Sequence, residues 1–171
     1  MRWWLVIALA ACRDDTGPAP DAPPAADAGV TTECTGACQV TALRAEFRMV
    51  RTLDHAVFGT NGDGTLHVES YLGGDGGCPS QTSPTPDYSL VLAKVAPPNG
   101  TAPTTTSSGN VLDFVGDLLG GPLGAQATTV IVRAVAAQPG EFVALDIELE
   151  FTGGAVTGHL FATHCPSLDT P

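Results

Sequence analysis

Oxygen-bearing side chains alternate with glycine along Asn61-Gly62-Asp63-Gly64-Thr65, a pattern by which a short loop can gather hard ligands round a calcium ion. A second glycine-rich stretch, Gly73-Gly74-Asp75-Gly76-Gly77, adds Asp75. Asn61, Asp63 and Asp75 are therefore the candidate divalent-metal ligands. The spacing departs from an EF-hand loop, whose first and twelfth ligands would fall on Gly59 and Ser70. Asn-Gly and Asp-Gly pairs more simply predict a hairpin turn into a strand beginning at Thr65. The second stretch suggests a phosphate-cradling loop, but no Lys-Ser/Thr follows it and Asp75 would repel phosphate.

Acid–base or zinc chemistry would need histidine beside carboxylate. His159 and Glu148 are expected to face each other across a hairpin, with Asp146 and Glu150 nearby, either as a metal or acid–base patch or as a plain cross-strand charge pair. No Gly-x-Ser-x-Gly elbow, His-Glu-x-x-His motif or P-loop occurs. The sequence thus argues against an enzyme and implies no cofactor.

Cysteines occupy positions 12, 34, 38, 78 and 165. The Cys34-x-x-x-Cys38 spacing fits neither a paired zinc site nor a redox Cys-x-x-Cys. In an exported chain the last four predict two disulfides, with three pairings open. The favoured arrangement is Cys34–Cys38 as a local clip and Cys78–Cys165 as a long staple.

The elements that must position these groups read as strands. Val143 to Phe151 alternates strictly, placing Val143, Leu145, Ile147, Leu149 and Phe151 on one face. Gly153-Gly154 is expected as the turn and Val156–His164 as the return strand, pairing Phe151 with Val156, Ile147 with Leu160 and Glu148 with His159. Further strands are expected at Gln39–Val50, Thr65–Leu72, Tyr88–Val95 and Thr128–Ala136, and a short helix at Asn110–Leu119 on the spacing of Leu112, Val115 and Leu119. The class is all-β: a disulfide-stapled antiparallel β-sandwich or open barrel.

Ahead of this domain, Arg2 precedes an unbroken apolar run from Trp3 to Ala11, too short to span a bilayer and suited to a signal peptide. The run ends Leu9-Ala10-Ala11-Cys12, which resembles the lipobox of bacterial lipoproteins. The resemblance implies cleavage before Cys12 and acylation of its thiol, anchoring the chain to the bilayer. Arg13 in place of Asp favours the outer membrane over the inner membrane of the cell envelope. The division expected is residues 1–11 signal peptide, 12–33 lipidated cysteine and Pro/Ala/Asp linker, and 34–171 β-rich domain. Four prolines among small and acidic residues at 13–32 disfavour a packed core there. With its closing TGGAVTGHLFATHC segment, the chain resembles the β-rich lipoproteins of some Gram-negative bacteria, a group that supplies no activity to carry over.

A net charge of −11, with one lysine in the chain, disfavours nucleic acid as a partner. The reading is an envelope-anchored, non-catalytic binding or structural module with a protein or glycan partner. A calcium-binding module is the alternative and a hydrolase the third.

Overall fold

The computed structural model describes residues 29–98 and 107–171. The expected signal peptide, Cys12 and residues 13–28 of the expected linker lie outside the described residues. Nine strands follow in order: β1 Ala42–Glu46, β2 Val50–Leu53, β3 His55–Thr60, β4 Leu66–Leu72, β5 Tyr88–Val95, β6 Ser108–Asp113, β7 Gly124–Gln138, β8 Phe142–Phe151 and β9 Gly154–His164. Single 3-10 turns at Gly36–Gln39 and Pro166–Leu168 flank them. The all-β class is as the alternation requires, and the architecture is a barrel that closes fully.

Closure follows from the pairings. β3 through β8 lie side by side in chain order, and β9 joins β8 on one edge and β3 on the other, making a ring of seven strands. All the neighbouring pairs are antiparallel except β3–β9, where Val57 meets Thr163 and Phe58 meets His164 in parallel. The β1–β2 hairpin covers the first half of β9, from Ala155 to His159. The inward faces supply one continuous core, including Leu43, Leu90, Leu92, Leu145, Leu149 and Leu160, all at most 1% exposed. Closing the ring leaves no edge among these seven strands to template aggregation.

Two small apolar clusters sit outside the ring, each beneath a disulfide. Cys34–Cys38 closes the first turn, and Cys34 packs with Ala136 and Ala144 on the outer face of β7 and β8. Cys78–Cys165 ties the β4–β5 loop to the end of β9, beside Val57 and Tyr71. The pairing is the one favoured from the sequence.

Four local expectations are corrected. The stretch 39–50 is not one strand: Phe47–Met49 turns the chain back, so β1 and β2 form a hairpin, and β3 follows where no strand was expected. The expected helix at 110–119 is instead β6 and a loop. Gly109, Val111 and Asp113 turn inward at period two, and the buried Asp113 carboxylate accepts the N–H groups of Gly116 and Leu119, at 2.6 and 2.8 Å. These bonds take the donors a helix would have used.

The β8–β9 register is shifted by two. Phe151 faces Gly154, Ile147 faces Gly158 and Glu148 faces Thr157, around a Thr152-Gly153 turn. Gly153 supplies the left-handed φ of +92°, while Gly154 is a strand residue whose missing Cβ makes room for the Phe47 ring and the Glu46 carbonyl. A shift of two keeps every residue on its face, so the core reading survives while the partners change. The ordered barrel also begins ahead of residue 34. Val30 packs against the core, and Thr31 bridges β7 by accepting the Ala137 N–H at 2.8 Å and donating to the Val135 carbonyl at 3.3 Å.

Candidate functional site

An opening lies at one mouth of the barrel. β3 and β5 end there, the β3–β4 and β7–β8 turns frame it, and the chain enters beside it at Gly29, Val30 and Thr32. Phe58, wholly buried on β3, forms the floor together with Leu66 and Val143, and Pro97, Pro98, Pro139 and Phe142 build the walls. The cavity holds about 550 Å³, and none of its fifteen described lining residues is ionisable. Side-chain polarity at the surface of this space comes from Thr32, Thr60 and Gln138. A concave apolar site of this size matches the range of small-molecule sites, roughly 300–1,000 Å³.

The cavity follows from local sequence. β7 carries register shifts near Thr128 and Val135, and such bulges bend a strand and increase its twist. Pro97 and Pro139 cannot donate a ladder hydrogen bond, so pairing stops at the mouth and leaves space between the strand ends. No motif in the sequence marked this site. Its available signal was the pair of apolar neighbours Val57-Phe58, which breaks alternation because Val57 packs under the C-terminal turn while Phe58 points into the barrel.

The sequence-derived metal candidates are not brought together. Asn61 and Asp63 sit in the β3–β4 turn at this mouth, whereas Asp75 follows β4 at the opposite end, roughly 20 Å away by strand rise. Asp63 accepts the N–H and hydroxyl of Thr65, at 2.9 and 2.6 Å. These bonds, the hydroxyl first, hold its carboxyl below the usual range, with Lys94 contributing. Asn61 donates to the Thr65 hydroxyl at 2.9 Å and accepts that of Thr170 at 2.9 Å. Among the described residues no group of three His, Cys, Asp or Glu side chains is arranged to hold a metal ion.

His159 does not meet Glu148, which lies 3.7 Å from Arg133. Its Nδ1 is 2.8 Å from Asp146 and its Nε2 is 2.9 Å from the Cys38 carbonyl. Through these two contacts the ring links Asp146 on β8 to the Cys34–Cys38 clip on the outer face of β8 and β9. The far mouth is closed by a ring of polar contacts. Arg51 donates to the Tyr88 hydroxyl at 3.0 Å and to Asp117 at 2.9 Å, and the Tyr88 hydroxyl donates to Asp117 at 2.6 Å. The Tyr88 bond is the main cause of the lowered Asp117 pKa.

At the near mouth, Asp169 accepts the Thr60 N–H at 2.8 Å and the His164 Nε2–H at 3.0 Å. These contacts, the Thr60 bond first, hold its carboxyl below the ordinary value of 3.8. A depressed folded pKa gives stability that is present above the unfolded value and lost as pH falls through the folded one. Thermal unfolding followed down through this acid range is therefore expected to show a shallower fall for Asp169→Asn than for the parent. Equal slopes would remove Asp169 as a contributor to the acid limb.

No protein-family model, no curated protein and no solved structure matches this chain.

Proposed function

We propose that the chain is an exported module, held in the outer membrane by acyl chains on Cys12, whose barrel binds a small apolar molecule or the apolar part of an amphiphile without transforming it. The observation that carries this reading is the 550 Å³ cavity with no ionisable group among its described lining residues. An apolar ligand leaving water for such a site gains roughly 25 cal/mol per Å² buried, and no lining charge must be desolvated. Gly29 lines the cavity, so the chain leading from Cys12 joins the barrel at the same mouth. An anchor on that side would keep the opening near a bilayer, a natural source of apolar ligands.

The test uses protein purified from the envelope of cells expressing the full chain. Its mass is expected to exceed that of the polypeptide starting at Cys12 by several acyl groups, and Cys12→Ala is expected to remove that excess. Titration of the unacylated Cys12→Ala protein with the neutral probe N-phenyl-1-naphthylamine is expected to give saturable one-to-one binding with a blue-shifted emission. Thr60→Trp fills the mouth from an exposed position and is expected to weaken binding about tenfold while leaving the melting temperature unchanged. Absence of saturable binding, or equal binding by the folded Thr60→Trp variant, would overturn the cavity reading. An unmodified Cys12 would overturn the anchor alone.

A further inference from the structure

We infer that the occupant of this mouth is an amphiphile with a cationic head, its chain in the cavity and its charge among the carboxylates at the rim; the inference rests on the apolar-ligand reading above. Three acids adjoin residues that line the opening, by chain neighbourhood or by a hydrogen bond. Asp169 is bonded to the backbone of the lining residue Thr60. Asp63 stands between Gly62 and the lining residue Gly64, held by two bonds to Thr65. Glu141 is exposed between the lining residues Gly140 and Phe142, in a turn fixed by its N–H to Gln138 at 3.0 Å and by the His164 N–H to its own carbonyl at 2.9 Å.

Two basic side chains face these acids among the described residues. Lys94, the sole lysine of the chain, lies close enough to Asp63 to act on its carboxyl. His164 is engaged by Asp169. The rim therefore sets three carboxyl side chains against a single lysine, and the whole chain carries −11. The apolar lining offers a head group no counter-charge of either sign, so the rim decides which head is accepted.

The closing experiment displaces N-phenyl-1-naphthylamine at pH 8 with three ten-carbon ligands below their micelle-forming concentrations: decyltrimethylammonium, monodecanoylglycerol and decanoate. With exposed charges a few ångströms from the head, low-salt displacement is expected about threefold tighter for the cation than for the neutral ligand, and about tenfold tighter than for decanoate. Half-molar salt is expected to bring the three close together. Glu141→Lys, an exposed change that leaves the turn's backbone bonds in place, is expected to narrow the cation–anion gap at low salt. Equal displacement by all three ligands, or preference for decanoate, would overturn the cationic occupant while leaving the apolar site standing. Failure of the probe itself to bind would instead overturn the underlying reading.

Discussion

Replacing Cys78 and Cys165 together with alanine is expected to lower stability by roughly 4 kcal/mol in the chain-entropy account of a cross-link. The bond joins residues separated by 87 positions, so its loss returns a large loop to the unfolded chain. For a domain of this size the melting temperature is expected to fall by roughly 10–15 °C. The denaturant slope should rise, because the uncrosslinked unfolded chain exposes more surface. Removing Cys34–Cys38, separated by four positions, is expected to cost only about 2 kcal/mol on the same account.

The long staple also has a local task. Cys165 is fully buried, its N–H donates to the Phe58 carbonyl at 2.7 Å, and the turn after it carries Ser167, whose hydroxyl donates to the Pro79 carbonyl at 2.7 Å. Without the bond, the tail that brings Asp169 to Thr60 is held by hydrogen bonds and the small Val57–Tyr71–Leu168 cluster alone. Urea unfolding of the two double variants compares them directly. Equal losses from the two would refute the loop-length argument.

How much of this was legible in the sequence depended on whether a residue's partner was local. Strands β4, β5, β8 and β9 show up as alternation because each has one face in the barrel and one outward, and period two records that division directly. Thr128–Ala136 was readable as a strand but not its full extent, since the bulged 15-residue β7 changes faces as it bends. β3 was hidden because the C-terminal turn covers its outer face: Val57 is buried outside the ring and Phe58 within it, and alternation vanishes when both faces are buried. Leu112, Val115 and Leu119 imitate a helical face, but the decisive interaction is a carboxylate reaching two backbone donors, which hydrophobic spacing does not encode. The cavity was illegible for a related reason. Its lining comes from β3, the β3–β4 turn and the start of β4, the prolines after β5, the β7–β8 hairpin and the chain ahead of residue 34, segments that meet only once the ring closes.

Gly158 marks the point where that closure is most exacting, and Gly158→Ala is expected to destabilise the barrel by about 3 kcal/mol or more. It lies mid-strand in β9, paired with Ile147 on one side and Leu43 on the other. Its φ of +134° belongs to backbone that L side chains rarely adopt, so alanine meets a conformational penalty whatever space is available. Space is lacking as well, since an added Cβ would overlap the Ala42 carbonyl oxygen and crowd the Leu43 Cα. Relief requires either that β9 straighten or that β1 retreat. Straightening would disturb the β9 coil that lets one strand pair with β1 in its first half and with β3 in its second. Retreat of β1 would uncover Leu43 and Ala45, both wholly buried. Hydrogen exchange separates the two routes: loss of protection confined to β1 and β2 means that the hairpin lifts away, whereas loss that includes Val57 and Phe58 means that the ring opens at its single parallel seam. A Gly158→Ala protein as stable as the parent would show that the positive φ and the close β1 approach are not required, and would remove the basis for placing the closure point at β9.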